Sequence, residues 1–182
     1  MKQSALEKTS IAWFKLAECI ERGEKERALK LYRLLMHSHN HEAYRKKLEA
    51  DLLVFFDTKK SLIYYHEAII LYEQSGNKQE VIFIYEYLIK IFPQQLDFQK
   101  IVISSCNELG WLRKSYIYMT HLIFKMIAID SLDSDIQFYL EKILDHSLIS
   151  SNQKEIDRFL SMLSISNIRW YEKACQYLII AT

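Results

Sequence analysis

The hydrophobic pattern predicts α-helices along most of the chain, and it is clearest over residues 62–95. In the first half of this stretch, apolar side chains recur at spacings of three and four residues, namely Tyr65, Ala68, Ile69 and Tyr72. In the second half a similar spacing relates Val81, Tyr85 and Leu88. Side chains spaced in this way line one face of an α-helix. Gly76 can close the first helix in a left-handed conformation, and Pro93 ends the second because it has no N–H to donate. This stretch is therefore predicted to form a helical hairpin.

The glycine between these two helices recurs at the distance expected of a repeated hairpin. Gly76 and Gly110 are 34 residues apart, a period typical of helix-turn-helix repeats that stack on copies of themselves. Each is followed by an apolar or small residue five positions later, an aromatic residue or Met nine later and a leucine twelve later. These are Val81, Tyr85 and Leu88 after the first, and Ser115, Met119 and Leu122 after the second. Near the N-terminus the same spacing relates Gly23 to Ala28, Tyr32 and Leu35. This order resembles the second helix of tetratricopeptide repeats, and Pro93 stands where that family often ends a repeat.

The resemblance implies an all-α fold, a right-handed α-solenoid of antiparallel helix pairs with about nine to ten helices. We predict a single domain over residues 1–182, with irregular helices over 1–61, the best repeats over 62–129 and C-terminal helices over 130–182. Gly23 and Gly76 are 53 residues apart, which is one repeat plus roughly one helix. Either the first helix is a separate cap, which is the preferred interpretation, or a helix over about residues 42–56 interrupts the repeats.

Two packing predictions follow from the register of the apolar positions. The first helix is expected to bury most of its apolar side chains, namely Leu6, Ile11, Trp13, Phe14, Ala17 and Ile20. Tyr85 is expected to fill the seam between two helices, so that Tyr85→Ala would cost about 3–5 kcal/mol.

The resemblance also implies a concave groove lined by the first helix of each pair. The positions that commonly contact ligands in the family correspond, in the best repeat, to Ile63, His66, Ile70, Glu73 and Gln74. In the following repeat they correspond to Asp97, Lys100, Ser104, Asn107 and Glu108. Family members that bind a C-terminal carboxylate use Lys, Arg and Asn there, and in this chain only Lys100 and Asn107 offer such groups. The mixed groove suits a short peptide or helix with apolar anchors and some positive charge.

Composition favours a globular helical protein and argues against other classes. Hydrophobic residues make up 50% of the chain and charged residues 26%, and three glycines with one proline leave few sites for tight turns. Residues 1–60 contain 13 basic and 9 acidic side chains, in a chain of net charge +1. Nucleic-acid binding through this basic third is the weakest alternative, because acidic residues are interleaved with the basic ones.

The sequence contains no motif for catalysis, for a cofactor or for a metal. It has no glycine-rich phosphate loop, zinc-protease helix or nucleophile elbow. The three cysteines are widely separated, so neither disulfides nor a zinc site are predicted, and a reducing compartment fits. His37, His39 and His41 would share a face only on an extended backbone, and Asn40 is expected to cap a helix there, which disfavours a metal site. We therefore predict neither an enzyme nor a cofactor.

The last predicted helix, from about residue 167, is apolar on almost every face. Its large apolar side chains include Trp170, Tyr171, Tyr177 and Leu178, followed by Ile179 and Ile180. A terminal repeat normally has a polar outer face. We expect this end of the chain to contact a second copy or a partner, or to tuck back into the array.

Two functions from different classes remain open. In the preferred one, the protein is a scaffold, adaptor or chaperone-like module that binds a peptide segment of another protein in the groove. In the other, it is a structural subunit of a homo- or hetero-oligomeric complex. We expect a cytoplasmic protein, because no apolar stretch is long enough to span a bilayer and no secretory segment is evident.

Overall fold

The computed structural model describes residues 2–36, 40–149 and 153–181, and this part of the chain consists of α-helices joined by short connections. Its ten helices are α1 (Lys2–Glu21), α2 (Lys25–Met36), α3 (Glu42–Leu53), α4 (Thr58–Gln74), α5 (Lys78–Ile91), α6 (Leu96–Glu108), α7 (Leu112–Ala128), α8 (Asp133–Ile149), α9 (Gln153–Ser166) and α10 (Ile168–Ala181). The described residues contain no β-strand, and the helices pack in neighbouring pairs. The prediction of an all-α fold of paired helices is confirmed.

The turn at Gly76 has the conformation that its position requires. Its φ is +73°, its N–H donates to the Glu73 carbonyl at 3.0 Å, and the Asn77 N–H donates to the Tyr72 carbonyl at 2.9 Å. These bonds satisfy carbonyl groups at the end of α4, and glycine is the usual residue at such a left-handed position. Gly110 has a φ of +70° at the end of α6. The two predicted repeat turns are therefore equivalent in backbone conformation.

Contacts within the chain divide it into two compact units, Met1–Ile84 (unit 1) and Tyr85–Thr182 (unit 2). The division falls within α5. Each unit is described by itself, and the single domain over residues 1–182 stays a prediction.

In unit 1, α1 packs on α2 and α3 packs on α4. The first three helices share a core of Leu16, Cys19, Ala28, Leu29, Tyr32, Met36, Leu52 and Leu53. Because α1 shares this core with α2, it is not a separate cap, and that interpretation was wrong. A helix, α3, does lie where the alternative placed one, and it packs on α4; that it interrupts the repeats stays a prediction.

The buried face of α1 differs from the prediction. Ile11, Trp13 and Phe14 are 53%, 41% and 71% exposed. Ala17 is also exposed, whereas Leu16 and Cys19 are buried against α2. Ile20, also predicted to be buried, is half-buried and packs against the same core. The prediction failed for the other residues because α1 has apolar side chains on several faces, so spacing alone does not select the one that contacts α2. Leu6 lies outside the residues whose side chains are described.

The core of unit 2 joins helices α6 to α10. Its buried side chains are Ile103, Tyr116, Met119, Leu122, Ile123, Met126, Ile136, Leu140, Ile143, Leu144, Phe159, Leu163, Trp170 and Ala174. Met119 and Leu122, which the repeat pattern singled out, are 3% and 0% exposed. The apolar stripe of α7 therefore faces inward as predicted.

The register of α5 is slightly rotated from the predicted one. Ile82, Ile84 and Leu88 are fully buried, whereas Tyr85 is half-buried and its ring lies 5.8 Å from that of Phe98, centroid to centroid. The cost of about 3–5 kcal/mol expected for Tyr85→Ala applies to a fully buried ring and is too large for this position.

Candidate binding surfaces

The groove residues predicted on α4 form one exposed stripe along that helix. Ile63 and Ile70 are 58% and 52% exposed. His66, Glu73 and Gln74 are exposed on the same side. The opposite face is fully buried, through Ser61, Tyr65, Ala68, Ile69 and Tyr72. We call the exposed residues Ile63, His66, Ile70, Glu73 and Gln74 the α4 stripe. Its two isoleucines offer apolar contacts on a helix whose opposite face is buried.

The start of α4 is capped by Asp57. Its carboxylate accepts a hydrogen bond from the Lys60 N–H at 3.0 Å and lies 3.5 Å from the Lys25 ammonium. The hydrogen bond from the Lys60 backbone is the main reason that the pKa of Asp57 is lowered. A capping aspartate of this kind satisfies an otherwise unpaired N–H at the helix start.

Polar contacts from α3 fix the rotation of α4. The Tyr65 hydroxyl donates to the Asp51 carboxylate at 2.5 Å, and Lys47 pairs with the same carboxylate at 2.9 Å. Lys46 lies 2.6 Å from Glu67, and the hydrogen bond to Glu67 raises the pKa of Lys46. These contacts hold one side of α4 on α3, so the α4 stripe is left on the exposed side.

The groove residues predicted on α6 also lie on an exposed face. Ser104, Asn107 and Glu108 are exposed, and Lys100 is half-buried. Lys100 lies 3.6 Å from Asp97, so its charge is partly neutralised within the helix. We call Asp97, Lys100, Ser104, Asn107 and Glu108 the α6 stripe. The α4 and α6 stripes belong to different units, and a single groove formed by both stays a prediction.

A polar cluster in unit 2 orients α7. Lys114 and the Tyr118 hydroxyl both contact the Glu86 carboxylate, at 2.9 and 2.7 Å, and the Gln99 amide donates to the Tyr118 carbonyl at 2.9 Å. Burial, reinforced by the hydrogen bond to Glu86, raises the pKa of Tyr118. Since Lys114 and Tyr118 are four residues apart, they lie on one side of α7 and hold it against α5 and α6.

A cleft between α7 and α9 was not predicted from the sequence. Its volume is about 330 Å³, and its lining includes Arg113, Ile117 and His121 from α7 with Glu155, Arg158 and Met162 from α9. We call it the α7–α9 cleft. Both helices contribute side chains at spacings of three and four residues, so each presents one stripe to the cleft. That spacing is visible in the sequence, but pairing α7 with α9 required the packing of both helices on α8.

The floor of the α7–α9 cleft is held together from within unit 2. The Tyr116 hydroxyl donates to the Glu155 carbonyl at 3.2 Å, and Phe159 is 2% exposed. Ile117 and Met162 remain 45% and 40% exposed on the walls. The result is an apolar concavity with charged side chains around it.

The residues predicted to form an oligomer contact pack on their own unit. Trp170 is 2% exposed within the single chain. Tyr171, Tyr177 and Leu178 pack against the same core, and the Tyr177 hydroxyl donates to Asp145 at 2.7 Å. Ile179 and Ile180 follow them and are 76% and 86% exposed. The surface left for a second copy therefore lies at the two isoleucines, and self-association through α10 stays a prediction.

Of the clustered histidines, only His41 lies among the described residues. It is the N-cap of α3, a role predicted for Asn40, and its Nδ1 accepts from the Tyr44 N–H at 3.3 Å. No group of three side chains able to hold a metal ion occurs in the described part of the chain. His37 and His39 lie outside it.

Comparisons with protein-family models and with curated proteins find no match for this chain. The resemblance to tetratricopeptide repeats therefore rests on the residue pattern quoted above. None of the described helices combines the length and the apolar character needed to cross a lipid bilayer.

Proposed function

We propose that this protein is a non-catalytic scaffold, of the tetratricopeptide type, that binds a peptide segment of another protein. The observation that supports the proposal is the α4 stripe, in which Ile63 and Ile70 are more than half exposed on a helix anchored by its opposite face. Exposed apolar side chains on one helix face offer contacts to the apolar side chains of a bound segment. Glu73 at the end of the stripe favours a segment that also contains a basic residue.

Affinity capture with matched variants tests this proposal. Protein partners recovered from a lysate of the source cells are compared for the wild type, Ile70→Asp and the control Leu34→Asp. Leu34 is 66% exposed on α2, in the same unit but outside the α4 stripe. We expect one partner to be recovered with the wild type and with Leu34→Asp and to be lost with Ile70→Asp.

The α6 stripe is tested in the same capture by Lys100→Ala. Circular dichroism must show the same helical content in each variant. Recovery of the same partners in equal amounts with Ile70→Asp and with Lys100→Ala would contradict binding at these stripes.

A second function, as a subunit of an oligomer, is favoured by the exposed end of α10. Ile179 and Ile180 are adjacent large apolar side chains that stay 76% and 86% exposed at the end of this terminal helix. Apolar clusters of this kind mark contact sites between proteins. Sedimentation velocity separates the two functions. A complex that dissociates in an Ile179→Asp, Ile180→Asp variant supports the subunit, whereas a wild type that stays monomeric at high concentration contradicts self-association.

A further inference from the structure

The α7–α9 cleft has the size and surface of a site for a side-chain anchor. Its volume of about 330 Å³ is at the lower end of the range of about 300–1,000 Å³ typical of ligand pockets. Its walls are Ile117 and Met162, which are partly exposed, and its floor is Phe159. An apolar side chain from a partner can therefore be buried here, whereas a large cofactor cannot.

The charged side chains that line this cleft are two arginines and one glutamate, so the lining carries a net positive charge. Arg113 and Arg158 form no ion pair with any described residue. Three other arginines do pair with an acid: Arg27 with Glu24, Arg33 with Glu49 and Arg169 with Asp133. Glu155 is the one acidic side chain among the residues that line the cleft. Two unpaired guanidinium groups beside an apolar concavity are complementary to carboxylates that flank an apolar side chain.

From this combination we propose that the α7–α9 cleft binds an acidic peptide segment of a partner protein, with one apolar side chain inserted between Ile117 and Met162. Arg113 and Arg158 pair with Asp or Glu residues on either side of that anchor. Nucleic acid fits the cleft less well, because single strands are bound by stacking on exposed aromatic rings. Here the aromatic rings that line the cleft, Tyr116 and Phe159, are 9% and 2% exposed.

This proposal rests on the proposed function only in that both ligands are peptide segments of proteins. The site lies on other helices, and its ligand is acidic, whereas the α4 stripe favours a segment with a basic residue. The α4 stripe lies in unit 1, and the cleft lies in unit 2. Ile70→Asp should leave binding at the cleft unchanged. The failure of one proposal can therefore be distinguished from the failure of the other.

A selection from a displayed library of random short peptides tests the proposal. The library is first depleted on the full chain carrying Arg113→Ala and Arg158→Ala, and it is then selected on the wild type. We expect the enriched peptides to contain Asp or Glu on both sides of a large apolar residue. Their affinity, measured by fluorescence anisotropy, should fall about ten-fold for the double alanine variant. An Arg113→Lys, Arg158→Lys variant, which keeps the charge, should recover part of the loss.

A matched control removes two positive charges elsewhere. Lys59 and Lys60 are exposed on α4 in unit 1, and Lys59→Ala with Lys60→Ala should bind the peptides as tightly as the wild type. A second variant, Met162→Glu, places an acid on the wall and should weaken binding of the acidic peptides. The absence of enrichment, enrichment of basic peptides, or equal affinity for the double alanine variant would overturn the assignment. Displacement of the peptides by polyuridine RNA, steeply dependent on salt, would overturn it in favour of a nucleic-acid site.

Discussion

Substitutions at two equivalent turns, at the ends of α6 and α7, should change the stability of the protein in opposite directions. Gly110 follows α6 and Asp130 follows α7, and both have a positive φ, +70° and +53°. At each turn the same pair of backbone bonds closes the helix. The Gly110 N–H donates to the backbone carbonyl of Asn107 at 3.1 Å, and the Asp130 N–H donates to the backbone carbonyl of Ile127 at 3.2 Å. One position therefore has the residue that suits the conformation, and the other does not.

Gly110→Ala should destabilise the protein by about 1 kcal/mol. Apart from Gly110 itself and its two chain neighbours, no residue has a heavy atom within 4 Å of the Cβ that the substitution adds, so crowding by packed side chains contributes nothing. A Cβ in the left-handed conformation costs about 1–2 kcal/mol. The lower flexibility of the unfolded alanine chain offsets about 0.4–1 kcal/mol of that cost.

The opposite change, Asp130→Gly, should stabilise the protein. It removes the Cβ strain of about 1–2 kcal/mol, which exceeds the roughly 0.4–1 kcal/mol lost through the greater flexibility of the unfolded glycine chain. It also removes a negative charge from the C-terminal end of α7, where the helix dipole disfavours that charge by about 0.3–1 kcal/mol. Asp130→Asn isolates the charge, since asparagine tolerates a positive φ. Its stabilising effect should shrink as salt concentration rises.

Urea unfolding measures all three variants. Tryptophan fluorescence reports on unit 1 through Trp13 and on unit 2 through Trp111 and Trp170, so these measurements are made in a Trp13→Phe background that leaves the signal to unit 2. Far-ultraviolet circular dichroism follows the helices of the whole chain. A midpoint that shifts with an unchanged slope reports a change in stability. If Gly110→Ala raises the midpoint, or Asp130→Gly lowers it, the assignment of these two turns is wrong.

Two further predictions concern the buried Ser115 and the half-buried Tyr118 of α7. The Ser115 hydroxyl is buried without a hydrogen-bond partner among the described residues, so Ser115→Ala should raise the free energy of unfolding by about 1 kcal/mol, and a loss of stability in urea would contradict this. The pKa of Tyr118 is raised above its ordinary value of 10, because burial and the contact with Glu86 favour the neutral phenol. The stability this contributes is fully present below pH 10 and is lost at higher pH, as the unfolded phenol ionises first. Stability measured against pH should therefore fall less steeply above pH 10 in Tyr118→Phe than in the wild type, and equal slopes would argue against the contact.

The helices and their turns could be predicted from the sequence because both depend on near neighbours. The apolar spacing and the glycines determine where α4 and α6 end, and the same features placed Met119 and Leu122 in the core. The residues of the α4 stripe were predicted from the resemblance to tetratricopeptide repeats, and helical periodicity agrees with their exposure. Once Tyr65 and Tyr72 are assigned to the buried face of a helix, Ile63 and Ile70 must lie on the exposed one.

Tertiary packing decided which helix faces are buried and which helices lie side by side, because neither depends on near neighbours in the sequence. In α1 the apolar side chains exceed what one face holds, and the contact with α2 selected Leu16 and Cys19 while Trp13 was left exposed. The α7–α9 cleft also depends on tertiary packing. Arg113 and Arg158 are 45 positions apart in the sequence, and no local rule brings them together. They line one cleft because α7 and α9 each bury their apolar side against a common core.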